Sequence, residues 1–357
     1  MGWLSFDGDG QSWIAPQLAA RRLKGVEQAI PRGTLIVETP APTLATGPTL
    51  LRMTRTEGAQ GLFSLQWVPA MGIVLVITVG RDVFHASLPL TGDPARLRIS
   101  FSWDSPANVS RLAVENPDDD SLHYAMGRAP AALMLSDMWA LARERHLNGL
   151  AAQAGFMAVS DGVEPIGPAP SLHDDTAIDT PHGPVPLKQL KPGDTVRTLS
   201  GAVMPVLQVV RRSVPAVGSF RPVRLRAPHF GLKRDLVATP QQRLVVTGGD
   251  VEYDYGADAV RLAISNLPRG FAQTDDAPHR APFVNLAQLV LPEPVAVLCH
   301  GVPLDTLNIG RIRRQKDRLE QSLLAQGPLH LLPEHGPSPY PLLGATETAS
   351  LAATRAA

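Results

Sequence analysis

The feature that most constrains the fold is punctuation. Between Gly33 and Gly127 the sequence breaks into eight runs of five to eight residues: Thr34–Glu38, Leu50–Thr54, Leu62–Trp67, Gly72–Val79, Val83–Leu88, Leu97–Trp103, Val109–Glu115 and Leu122–Met126. Turn-forming residues separate them, as in Gly80-Arg-Asp82 and Asn116-Pro-Asp-Asp-Asp120. Runs this short suit strands better than helices, and their close spacing predicts an antiparallel β-sandwich. Leu97–Trp103 places apolar residues at 97, 99, 101 and 103, the alternation of a strand with one buried face. Gly72–Val79 is apolar almost throughout and predicts a strand buried on both faces.

The remaining chain divides around this block. Residues 1–32 form an N-terminal segment, and the sandwich with a trailing helix fills 33–160. Ser136 as N-cap and Asp137 in the first turn predict that helix, running to about residue 148 or 155. Asp161–Pro170 holds three prolines and two glycines in ten residues and reads as an exposed, protease-sensitive linker. Residues 171–310 turn β-rich again. Arg311–Gln326 predicts a short amphipathic helix with Ile312, Leu319, Leu323 and Leu324 on its apolar side. The tail from Gly327 is expected to be mostly disordered, although Leu329, Leu331, Leu332, Leu342 and Leu343 offer docking points.

Composition and motifs narrow the chemistry. Lys+Arg and Asp+Glu are both 33, so no overall charge favours nucleic acid or an acidic solvating role. Thirty glycines and 34 prolines among 357 residues describe a turn-rich folded chain, short of the ~25–30% of disordered sequences. One cysteine, Cys299, excludes an intrachain disulfide framework or a multi-thiolate metal site, and its apolar neighbours mark it as a small core residue. The longest apolar stretch, Ile73–Ile77, cannot span a bilayer, and the acidic N-terminus is unlike a Sec signal. Met1-Gly has Phe6 where an acylation motif needs Ser or Thr. A soluble protein, cytoplasmic or exported by another route, is expected. Phosphate loops, nucleophile elbows, zinc-binding His-Glu-x-x-His and dinucleotide fingerprints are missing. Asp7-Gly-Asp9-Gly10 lacks the rest of a calcium loop, and His173-Asp174-Asp175 reads as a solvated loop, so neither cofactor nor metal is expected. Arg211, Arg212, Arg221, Arg224, Arg226, Lys233, Arg234 and Arg243 could meet phosphates, but with only Phe220 and Phe230 among them they read as exposed strand faces.

Three stretches in the second half carry a resemblance as a set: Thr176–Val196 with its Thr180-Pro-His-Gly183 and Leu190-Lys-Pro-Gly-Asp-Thr-Val196, then Asp235–Val246 with Thr239-Pro-Gln-Gln242, then Val297–Thr306. Together they resemble the Hint domain, the Hedgehog/intein self-processing fold, and most closely its bacterial Hedgehog/intein-type family, over about residues 171–310. The N-terminal sandwich resembles concanavalin/laminin-G-like modules through its strand pattern and Phe101-Ser-Trp103-Asp104. The resemblance implies a mainly β protein, a sandwich followed by an all-β horseshoe, with short helices at the linker and C-terminus.

The resemblance also implies a chemistry. In the family a Cys thiol attacks the preceding carbonyl, and a Thr-x-x-His motif protonates the departing amide nitrogen. Here the nucleophile position falls on Ser171 and the histidine position on Gln242. Two further expected histidines fall on Gln288 and Pro294. Serine is the weaker nucleophile without a positioned base, and loss of an acid/base group typically costs about 10²–10⁴ in rate. Pro170 is a stiff acyl donor. Thr239 serves equally well as a site residue or a strand residue before Pro240, Asp194 reads as a turn-former, and His300 as a turn residue. Three functions follow as expectations: a Hint protein with little or no cleavage, an active Ser171-dependent autoprocessing protein, or a sandwich that binds a glycan or surface protein with the Hint body as scaffold. Trp67 and Trp103 both fit a core face, which leaves no visible sugar platform. The partner stays unknown, and any enzyme activity is self-cleavage.

Overall fold

The computed structural model describes residues 2–24, 28–40, 47–55, 60–69, 71–90, 96–119, 121–131, 133–143, 155–274 and 281–356. They form two compact units, Met1–Ile166 and Gly167–Ala357.

The first unit is a sandwich of two antiparallel sheets. The larger has seven strands in the order Ser121–Gly127, Val109–Asn116, Arg96–Asp104, Arg32–Pro40, Phe156–Ser160, Trp3–Gly8 and Gln11–Ile14. The smaller runs Thr49–Arg55, Gly61–Val68, Gly72–Val79 and Asp82–Leu88 as a meander. Leu35, Val37, Ile99, Phe101 and Leu112 from the first pack with Met53, Phe63, Leu65, Ile73 and Leu75 from the second in one core. Trp67 and Trp103 are in that core, and the Trp103 indole donates to Ile30 O at 2.9 Å. Gly33 makes room for the ring: a Cβ there would fall 2.4 Å from the Trp103 indole.

Burial along two strands differs in extent from expectation. Gly72–Val79 is buried on both faces from Gly72 to Leu75, Val74 included, and on one face beyond, where Ile77 is buried and Val76, Thr78 and Val79 are half-buried. Leu97–Trp103 is buried on both faces, Arg98, Ser100 and Ser102 included. Part of this polar face, around Thr34 and Arg111, meets the Pro/Gly stretch. Thr34 Oγ1 donates to Gly162 O at 2.8 Å, Glu164 N–H donates to Thr34 Oγ1 at 2.8 Å, and Arg111 donates to Glu164 O. Residues 161–166 thus lie over that part of the larger sheet. The stretch expected to be exposed is mostly covered: Ile166 is buried, and Val163 alone among these ten residues is exposed. The N-terminal segment belongs to the sandwich as well, because Trp3–Gly8 pairs with Phe156–Ser160. The helix is Leu135–Arg143, with Ser136 inside it, and Asp137 accepts from Met134 N–H at 2.6 Å as an N-terminal cap. Its expected continuation toward 148 or 155 lies outside the described residues.

The second unit is built from short strands. One six-stranded antiparallel sheet orders Gln208–Pro215, Phe283–Val290, Leu172–His173, Leu236–Ala238, Val223–Leu225 and Ala272–Thr274. The other orders Gly183–Pro186, Ala177–Thr180, Ala296–Cys299, Val302–Asp305, Arg243–Thr247 and Ala259–Ala263. Leu172, Leu225, Ala238 and Ala287 share a core with Ile178, Leu244, Val297, Cys299 and Leu304. Leu187 and Leu190 are buried in it.

The tail departs from expectation. Residues 311–326 are not one helix but Ile312–Arg314, Lys316–Glu320 and Leu323–Gln326, two 3₁₀ turns around one α turn. Their apolar residues Ile312, Leu319, Leu323 and Leu324 still dock together, on Val210 and Val290. Beyond Gly327 the chain is ordered, not disordered. Leu332 joins that cluster, and the helix Ala345–Ala356 inserts Leu351 and Ala352, next to Leu343, into the main core. Leu329, Leu331 and Leu342 remain exposed. Arg355 holds this helix by a two-pronged pair with Asp250 at 2.8 and 2.9 Å. No helix among the described residues is long and apolar enough to cross a membrane.

Candidate functional site

Ser171 stands one residue before the strand Leu172–His173, between the strands Leu236–Ala238 and Phe283–Val290. This central place brings the separated sequence motifs to it. The backbone N–H of Thr239 donates to Ser171 O at 2.7 Å, and Thr239 to Gln242 closes a turn through Gln242 N–H to Thr239 O at 3.1 Å. That turn presents the Gln242 side chain, and the Ser171 hydroxyl donates to Gln242 Oε1 at 2.5 Å.

Gln242 cannot rotate its amide without loss. Its Nε2 donates to Arg243 O at 2.9 Å and Asp305 O at 3.2 Å, two acceptors that require a donor. Its Oε1 therefore faces Ser171 and a second donor, Gln288 Nε2 at 3.3 Å. Gln288 Nε2 also donates to Asp305 O at 2.7 Å, while Gln288 Oε1 is buried without a protein donor. Thr239, Gln242 and Gln288 are all at most 3% exposed. The set around Ser171 is thus an uncharged chain, hydroxyl to amide to amide, closed onto a backbone carbonyl.

The charge at this site lies behind it. Asp305, whose carbonyl accepts both amides, turns its carboxylate to Arg261 at 3.1 Å. Burial raises the Asp305 carboxyl above the ordinary range, with Arg261 opposing. Arg261 is held in turn by Tyr340 O at 2.9 Å. Sequence reasoning missed both residues. Asp305 acts toward the amides through its backbone, which no side-chain motif reports.

Other singled-out residues fall elsewhere. Pro294 lies in the irregular stretch before Ala296–Cys299, apart from the hydrogen-bonded set around Ser171. Cys299 is fully buried on the strand pairing with Ile178, and burial pushes its thiol far above the ordinary value, so it is no nucleophile here. Asp194 accepts from Lys191 N–H at 2.8 Å, the contact of a turn-former. His173, Asp174 and Asp175 place one ligand atom each within 4.8 Å of one another. His173 Nδ1 already accepts from Asp175 N–H at 3.2 Å, and Lys188 Nζ sits 2.5 Å from Asp175. An ammonium occupying the carboxylate and an occupied imidazole nitrogen fit a solvated loop better than a cation site.

In this mainly β unit, the strand Leu172–His173 and the Thr239–Gln242 turn bring Ser171 and Gln242 together. Residues 170–311 match the family model of the Hint domain. Among solved structures, the chain is similar to the Msm DnaB1 intein splicing domain bound with zinc, at 14% identity and TM-score 0.25, covering 37% of this chain and 98% of that one. It is also similar to the LG1-3 region of the laminin α2 chain, at 11% identity and TM-score 0.25, covering 79% and 62%. Scytalido-glutamic peptidase with a peptide-based transition state analog follows at 9% identity and TM-score 0.19, covering 58% and 90%. No curated protein sequence matches the chain.

Proposed function

We propose that the second unit is a Hint domain of the bacterial Hedgehog/intein type that keeps the self-processing scaffold and has lost most or all cleavage. One observation carries this reading: the Ser171 hydroxyl donates to an amide oxygen, Gln242 Oε1, at 2.5 Å. For cleavage, the Ser171 oxygen must bond to the Pro170 carbonyl carbon while that carbon's bond to the Ser171 nitrogen breaks. The hydroxyl proton must leave and the departing nitrogen must gain one. At neutral pH an amide neither takes the first proton nor supplies the second. Gln288 repeats the deficiency one residue further along the chain of contacts.

The first unit is read as a laminin-G-like recognition module, supported by its two-sheet antiparallel sandwich. Its core burial of Trp67 and Trp103 leaves those rings unavailable for stacking on a sugar.

Intact-mass spectrometry of the purified chain over days at neutral pH tests the proposal. The expected result is a single species at 38.2 kDa. Spontaneous appearance of residues 1–170 and 171–357, abolished in Ser171→Ala, would establish the active Ser171-dependent alternative instead.

A further inference from the structure

The strands Ala296–Cys299 and Val302–Asp305 are joined by His300-Gly301, with Cys299 paired to Val302. Both joining residues have positive φ, 48° and 91°, as a two-residue type I′ turn requires. That turn favours Asn-Gly or Asp-Gly, so histidine is a less common occupant. The turn is fixed from one side. Lys233 N–H donates to His300 O at 2.7 Å. A Cβ at Gly301 would lie 2.9 Å from Gly231 O and 3.2 Å from Lys233 Cγ, so only glycine lets these loops close.

A cleft of about 390 Å³ opens beside the turn, lined by Asp179, Thr180, Arg197, Lys233, Arg234 and His300 among others. Arg197, Lys233 and Arg234 line it against one carboxylate, Asp179. None of the three forms an ion pair among the described residues. Other members of the basic segment are engaged: Arg211 donates to Leu190 O at 2.7 Å, Arg212 lies over the Phe220 ring at 5.3 Å, and Arg224 faces Asp235 at 3.7 Å. Ser171, Thr239, Gln242 and Gln288 do not line the cleft.

We propose that this cleft binds a hydroxyl-bearing phosphate, a small molecule of sugar-phosphate size. Two guanidinium forks and an ammonium match the oxygens of one phosphate group. The volume lies within the ~300–1,000 Å³ of small-molecule sites and leaves room for a body beyond the phosphate. Asp179, half-buried and only an acceptor when ionised, takes hydroxyl donors and repels a second anionic group. Burial and Arg234 hold the His300 imidazole below its ordinary pKa, so at neutral pH it adds one donor and one acceptor.

Titration calorimetry of the full chain with ribose 5-phosphate, ribose and inorganic phosphate tests this. Ribose 5-phosphate is expected to bind, ribose to give no heat, and inorganic phosphate to bind about tenfold more weakly or worse. Arg197→Ala with Arg234→Ala should weaken ribose 5-phosphate about tenfold or more, since charge-assisted contacts are lost. His300→Asn, which supplies a residue the turn prefers, keeps the fold and separates the imidazole's part from the turn's. Failure of ribose 5-phosphate to bind at millimolar concentration, or unchanged binding in the folded double variant, would overturn the proposal. Inorganic phosphate binding as tightly as the sugar phosphate would overturn the hydroxyl contacts assigned to Asp179.

Discussion

The two units bury polar groups in opposite ways. In the sandwich, beside buried hydroxyls such as Ser100 and Ser102, they include charged residues in pairs. Arg55 and Asp137 are 7% and 2% exposed at their side chains and form a two-pronged ion pair, and Arg98 lies 3.5 Å from Glu38. In the Hint unit the buried set around Ser171 is neutral, and the nearest ion pair, Arg261 with Asp305, stands behind it. A buried charge tolerates no change of partner, because the survivor keeps the full cost of its lost hydration. A neutral amide chain demands only that donors meet acceptors. On the proposed reading, a Gln at the family's histidine position leaves a fold that still closes, because donors and acceptors remain matched around Ser171.

That contrast can be broken by substitution. The largest effect is expected at the sandwich pair: Asp137→Ala strands the Arg55 charge and should destabilise the unit by about 3–5 kcal/mol in urea unfolding. Arg55→Met with Asp137→Leu should recover most of it. Equal stability of Asp137→Ala and wild type would remove the distinction between the units. Gln242→Ala comes next. It leaves the Ser171 hydroxyl and one Gln288 contact without a partner, at about 1–3 kcal/mol by the same measurement.

A smaller, pH-dependent term belongs to His335, which is buried with Nδ1 accepting from Ile309 N–H at 3.1 Å and Nε2 donating to Leu291 O at 2.9 Å. Burial lowers its pKa below 6.5 in the folded chain. The unfolded chain thus takes the proton first. Stability should be full above about pH 6.5 and fall as the pH drops from there toward the lowered value. His335→Gln should flatten that acid-side slope, and a slope that persists unchanged would assign it to other groups. Smallest is Arg355→Ala, a partly exposed pair with Asp250 worth up to about 1 kcal/mol, read as fraying of the terminal helix by hydrogen exchange.

Much of this was legible in the sequence. Turn punctuation located all eight strands between Gly33 and Gly127, because Gly, Pro and Asp act locally. The burial of 97–103 on both faces was not legible. Alternation reports the residue types on a face, not what later packs on it: Arg98 meets Glu38, and Ser102 meets Thr34 and Arg111, which residues 162 and 164 contact from remote positions. Trp3–Gly8 escaped notice for a similar reason: its partner strand Phe156–Ser160 is remote in sequence. At the site, Ser171, Thr239, Gln242 and Gln288 could be found by motif order, and the structure brings them together. Arg261 and Asp305 could not. The tail was misread because its docking leucines are scattered among prolines, a pattern without helical period.

The most direct test of a reactive centre lost within a kept scaffold is restoration. Ser171→Cys supplies a thiol to form the C–S bond with the Pro170 carbonyl carbon, and Gln242→His supplies the imidazole that passes a proton to the departing nitrogen. Intact-mass spectrometry of the folded double variant with added dithiothreitol should show the chain divided between Pro170 and Ser171, with both single variants and the wild type uncut or nearly so. A correctly folded double variant that stays at full length with the thiol present would contradict the account.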